Sequence, residues 1–135
     1  MAWKEYNLDR IAQKLVLAAK LRDRDSLNQS FKMRESVSYG LERFWGENLR
    51  LQSKEPNKAQ YWKETWDKLV ETMAEAGIPI PNDTVQVNDT ESVQAMAEKL
   101  WELKLEDQRI TLAVLTQLCD CLVWWTQRYK GTKER

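Results

Sequence analysis

Only four glycines and three prolines punctuate the 135 residues of this chain. That is about 5% of the sequence where roughly 12% is usual, too few to turn the many strands of a sandwich or barrel. Between these breaks the apolar residues recur at intervals of three and four, the period of one buried helix face. The chain therefore reads as all-α. Its length suits a single domain over residues 1–135, large enough to bury about two-thirds of the unfolded surface.

The pattern places the helices. The first runs from a cap at Asn7 to about Arg22, with Leu8, Ile11, Leu15, Ala18 and Ala19 on its buried side. Residues 22–30 carry no apolar period and read as a polar connection, with Ser30 as the next cap. A second helix is predicted over about residues 31–53, its stripe formed by Met33, Val37, Leu41, Phe44, Asn48 and Leu51. Gly40 and Gly46 weaken it by up to about 1 kcal/mol each, and a kink is expected near Gly46. After a break at residues 54–57, Asn57 caps a third helix carrying Trp62, Trp66, Leu69, Val70 and Met73, which Gly77 and Pro79 stop. Residues 78–89 read as a surface loop, because two prolines exclude a central strand.

A fourth helix starts at Asp89 or Thr90 and carries Val93, Met96, Ala97, Leu100, Trp101 and either Leu103 or Leu105. The fifth spans about Asp107 to Tyr129 and is apolar nearly all round from Ile110 to Trp125, with only a polar strip at Thr116, Asp120 and Gln127. Such a helix is buried in a bundle or pressed against another chain. The expected architecture is a bundle of four to five helices with a buried C-terminal helix.

The same composition narrows the chemistry. The chain has no histidine, which removes His-based acid–base catalysis, imidazole metal sites and the Glu-x-x-His sites of carboxylate bundles. No Gly-rich phosphate loop, G-x-S-x-G elbow or C-x-x-C pair is present. Glu71 and Glu75 share a helix face and read as solvated. Cys119 and Cys121 diverge by about 200° on a helix, so they cannot bridge, and two thiolates make an incomplete zinc site. They read as small buried hydrophobes in a reducing cytosol. No apolar run approaches the roughly 18 residues of a membrane span, and the opening MAWKEYNLDR has no apolar signal core. The expectation is a non-enzymatic cytoplasmic chain with no metal, cofactor, small-molecule substrate or membrane contact.

Net charge is zero, yet the charges are sorted. Residues 1–60 carry +4, residues 61–108 carry −7 and residues 109–135 carry +3. Neutrality excludes a uniformly basic coat, but a basic front and an acidic middle allow two distinct faces. On the predicted second helix Lys32, Ser36, Tyr39, Arg43, Arg50 and Lys54 fall within about 60° of one another on a helical wheel. Their four cations would form a row roughly 33 Å long, suited to a nucleic-acid backbone, with Tyr39 offering a ring for stacking or a hydroxyl for a phosphate. Glu47 lies near the row and weakens it. The candidate nucleic-acid contacts are therefore Lys32, Tyr39, Arg43, Arg50 and Lys54.

Seven tryptophans are more than one small core hides easily. Trp62 and Trp66 are adjacent on one helix face, and Trp124 and Trp125 point about 100° apart, so one of that last pair should leave the core. Trp62, Trp66, Trp124 and Trp125 are the candidate protein-interface residues.

A short, His-free, all-helical chain with a basic row, surplus aromatic residues and a buried last helix resembles the small subunit of type I CRISPR effector (Cascade) complexes. The closing stretch LAVLTQLCDCLVWWTQRYKG, residues 112–131, is similar to the C-terminal helical part of some type I-B large subunits. The likeness covers the whole chain in shape and the last helix in wording. It implies a non-catalytic antiviral-defence subunit packed along the guide-bound backbone of the complex, beside other effector subunits and further copies of itself. It also implies that the subunit holds target or displaced DNA by its phosphates, with guide RNA as a further candidate contact. The residues leave a second reading open, a helical protein–protein adaptor or inhibitor that binds no nucleic acid.

Overall fold

Among residues 7–130, which the computed structural model describes, every regular element is helical. The first helix, α1 (Leu8–Arg22), starts after Asn7, whose left-handed backbone (φ 58°) lets its carbonyl accept the Ile11 amide. The Asn7 side chain makes no cap hydrogen bond. The predicted polar connection is a 3-10 turn, Arg24–Asn28, that tucks Ser26 and Leu27 into the core. Next comes α2 (Gln29–Ser36). Ser30 lies inside its first turn and is fully buried, so it is not the expected cap.

The predicted second helix is two helices. After α2 the chain makes a short 3-10 turn, Val37–Tyr39, then reverses its backbone at Gly40 (φ 99°, ψ 173°) before α3 (Leu41–Leu51). That conformation is open essentially to glycine alone. The break therefore falls at Gly40 and not at Gly46, which sits within α3. The cause is tertiary. Arg34 of α2 pairs with Asp120 near the chain's end at 2.7 Å, while Phe44 of α3 packs its ring 4.9 Å from that of Trp62. On either side of Gly40 the two helices thus serve different neighbours, α2 the last helix and α3 the Trp62 helix.

The longest central element but one, α4 (Pro56–Glu75), opens on Pro56, a first-turn position where the missing N–H is not needed. The helix thus begins one residue ahead of the expected Asn57 cap. Residues 78–89 form no helix or strand, but they are strapped down. Ile80 is buried, Asn82 donates to Asp67 at 3.0 Å, and Lys99 pairs with Asp83 at 2.5 Å. Asp89 then caps α5 (Thr90–Trp101) by accepting the Ser92 amide at 3.4 Å. The last element is α6 (Leu105–Lys130).

These six helices form a bundle around α6 and α4. α1 runs beside the second half of α6 in the same direction, with Gln13 donating to the Tyr129 hydroxyl at 3.0 Å and Arg24 to the Lys130 carbonyl at 3.0 Å. α3 packs on α4, and α2 lies across α6. Arg22 Nη2 donates to both Glu64 carboxylate oxygens at 2.8 Å and ties α1 to α4. One core joins Trp62, Trp66, Leu69 and Met73 of α4 to Leu115, Leu118, Cys119 and Leu122 of α6. α6 buries that stripe only; Trp124, about 200° round the helix from Leu122, faces outward.

Candidate nucleic-acid interface

The reversal at Gly40 shapes the surface that carries the basic residues. Tyr39 ends the 3-10 turn just before it, and the residue is 67% exposed. Arg43 stands on the first turn of α3 and lays its guanidinium over that ring, Cζ 5.2 Å from the ring centre. Lys32 and Ser36 approach from α2. Together with Glu35 and Glu47 these side chains rim a shallow notch of about 290 Å³ whose floor is Trp62. The turn is held from within, because Ser36 donates to the Met33 carbonyl at 2.9 Å and Ser38 to the Glu35 carbonyl at 3.1 Å.

The five candidate contacts do not form one row. Lys32, Tyr39 and Arg43 share the notch. Arg50 lies farther along α3, where Glu47 takes its guanidinium in a two-pronged pair at 2.7 and 2.8 Å. That carboxylate hydrogen bond, reinforced by charge, raises the Arg50 pKa further, so the cation is firmly held but locally matched. Lys54 is beyond α3 in a separate depression with Asp23, Asp25, Glu55 and Lys58, the last already paired with Glu55 at 2.5 Å. A helical wheel assumes a straight axis, and the Gly40 break removes it. Glu55 is held below the usual carboxylate range, first by its hydrogen bond to Lys58 and further by Lys32 and Arg50. The cations of this region therefore stand among carboxylates, of which Glu35 was not foreseen; its place three residues after Lys32 on α2 is the signal that would have found it.

The tryptophans divide clearly. Trp62 is 1% exposed and Trp66 is 0% exposed, so neither offers a surface to a partner. The Trp62 indole N–H donates to Gln29 at 2.8 Å and Phe44 covers its ring, which is what closes that face of α4. Trp124 is 56% exposed. Trp125 is half-buried against the core, stacks on Tyr129 with ring centres 5.6 Å apart and carries the Arg128 guanidinium over its face at 5.8 Å. Trp101, at the end of α5, is 61% exposed, so it does not join the buried stripe in which the spacing put it beside Leu100; it stands at the helix terminus, past the last buried turn. Trp3 lies outside the described residues.

Neither cysteine is disulfide-bonded. Burial pushes the Cys119 thiol far up, and burial assisted by Asp9 pushes Cys121 up to about 12. Both are therefore protonated at neutral pH and poor nucleophiles or ligands. No helix among the described residues is long and apolar enough to cross a membrane. Comparison of the chain with protein-family models, with curated proteins and with solved structures finds no match.

Proposed function

We propose that this chain is a non-catalytic small subunit of a type I CRISPR effector complex, holding target or displaced DNA through backbone phosphates at the Gly40 notch. The observation that carries the nucleic-acid part is the convergence of Lys32, Tyr39 and Arg43 from two helices onto one exposed notch. A lysine ammonium is a point charge and an arginine fork grips two phosphate oxygens, so the pair can seat one or two phosphates without reading base identity. Two such contacts give weak, salt-sensitive affinity by themselves. Held among neighbouring effector subunits and further copies of the chain, the same contacts act at high effective concentration. The assembly part of the proposal draws on the likeness of residues 112–131 to type I-B large subunits.

The test is direct. Gel-shift and filter-binding titrations of the full chain with single- and double-stranded DNA across a salt series should show weak binding that fades as salt rises. Co-expression with a type I effector backbone should place the chain in the assembled particle. Absence of binding at low salt, together with exclusion from the particle, would overturn the proposal.

A second reading has its own observation. Trp124 and Trp101 leave large apolar rings in water on α6 and α5, which favours a protein–protein adaptor that binds no nucleic acid. DNA titrations that give no signal, alongside protein capture that Trp124→Ala abolishes, would select that reading.

A further inference from the structure

We infer that the Tyr39 ring is a stacking platform for an unpaired nucleobase, so that the strand seated at the notch is single. The inference rests on the nucleic-acid reading above and names the strand that reading leaves open. Arg43 covers one side of the ring at 5.2 Å, yet the residue stays 67% exposed, so most of the aromatic surface is offered to solvent. The turn that carries the ring is also braced. Gly40 reverses the chain directly behind it, the Gly40 amide donates to the Val37 carbonyl at 3.1 Å, and the Ser36 and Ser38 hydroxyls brace the turn. A turn braced before binding loses little freedom when a base lands on the ring it carries.

Charge decides between one strand and two. Of the cations near the notch, Arg50 is matched by Glu47, and Glu35 shares the rim with Lys32. Two rows of duplex phosphates need a broad basic surface, and a half-neutralised notch does not provide it. A single strand needs less charge, because each of its bases has a free π-face and stacking on an aromatic side chain supplies affinity without sequence preference. In a duplex those faces are already stacked on their neighbours. The Arg43 guanidinium, lying on the same ring, is placed to meet the phosphate beside the stacked base.

The experiment compares the full chain and its Y39A and Y39F variants by fluorescence anisotropy at low salt. The probes are an oligothymidine of about 12 nucleotides, an abasic strand of the same length and a duplex. Wild type should bind oligothymidine about tenfold more tightly than the abasic strand, and Y39A should lose that difference while keeping the abasic affinity. Y39F should behave as wild type, since the ring and not the hydroxyl does the stacking. Circular dichroism of Y39A should match wild type because the side chain is exposed. If wild type binds all three probes alike, or if Y39A and Y39F both weaken the abasic strand, stacking is wrong and phosphate contact alone stands. If wild type binds none of the probes, stacking and the nucleic-acid reading fail together.

Discussion

The hydroxyl of Ser30 lies 2.5 Å from that of Tyr61, and the same Ser30 oxygen is 2.6 Å from the Thr126 hydroxyl. One small side chain on α2 thus satisfies polar groups from α4 and α6 in a site closed to water. Removing one member leaves a buried partner without its hydrogen bond, which costs about 1–3 kcal/mol. Ser30→Ala should lower the urea unfolding free energy by that amount. Retention of full stability would mean that water or repacking replaces the bond.

The same interior predicts an alkaline weakness. Burial pushes the Tyr61 hydroxyl from 10.0 up to about 12 and lifts Cys119 well above its ordinary 9.0. Each group keeps its proton in the folded chain after the unfolded chain has lost it, so the folded state binds more protons above pH 9. Stability is therefore whole below pH 9 and falls as pH rises, through about 9 upward for Cys119 and about 10 to 12 for Tyr61. Urea midpoints measured across this range should decline. Tyr61→Phe should flatten the decline above pH 10, and Cys119→Ala should make it shallower from pH 9 without moving its onset, because Cys121 is raised from the same 9.0 to about 12. A decline unchanged in both variants would place the weakness elsewhere.

Two glycines should respond in opposite directions. Gly40 has φ 99° and ψ 173°, where a side chain costs about 1–3 kcal/mol even though an added Cβ meets no atom within 4 Å. Gly46 is inside α3, and an added Cβ would lie 3.6 Å from a Glu42 oxygen, an ordinary contact. Gly40→Ala should lower the melting temperature. Gly46→Ala should raise it, because alanine is favoured over glycine in a helix by roughly 0.5–1 kcal/mol. Equal effects would contradict the position of the break.

Those glycines also mark where sequence reading stopped. The stripes of α1, α4 and α5 were largely legible because three- and four-residue spacing reports a buried face wherever the helix is straight, whereas α6, apolar nearly all round, gave no stripe and its outward Trp124 face came only from packing. Gly40 and Gly46 look alike to that method, since each is a weak helix former. Their difference comes from packing: Ser30 and Arg34 bind α2 to α6, while Phe44 ties α3 to Trp62. The basic row inherited the same blind spot, and so Lys32, Tyr39 and Arg43 meet while Arg50 and Lys54 stand apart. For Trp62 and Trp66 the spacing showed a shared face, but only the arrival of Phe44 and Gln29 showed that the face is inward.

Trp66 and Trp124 should separate stability from assembly. Trp66 is wholly buried, with its ring 6.3 Å from that of Phe44, so Trp66→Ala should cost about 3–5 kcal/mol or leave the chain unfolded. Trp124→Ala removes an outward ring and should change stability by no more than about 0.5 kcal/mol. It should nonetheless weaken incorporation into a larger complex, as loss of an exposed aromatic anchor does. Chemical denaturation and size-exclusion chromatography of the co-expressed complex measure the two effects. Normal incorporation of the Trp124 variant would remove this residue from the interface.

Of the four candidate cations, only two are placed to meet phosphates. Lys32 and Arg43 share the notch, Arg50 is already paired to Glu47, and Lys54 sits with Asp23, Asp25 and Glu55. A lost phosphate contact weakens binding alike for all sequences and reduces the slope of log affinity against log salt by about 0.7 for a single strand. Lys32→Ala and Arg43→Ala should each show that change with single-stranded DNA. Arg50→Ala should show less, because removing it frees Glu47 to repel the strand without removing a contact of its own. Lys54→Ala should leave the slope unchanged. All four side chains are largely outside the core, so each variant should fold with the wild-type circular dichroism spectrum. A slope that falls as much for Lys54→Ala as for Lys32→Ala would restore the longer basic row. A slope unmoved by Lys32→Ala and Arg43→Ala together would take phosphate contact away from the notch altogether.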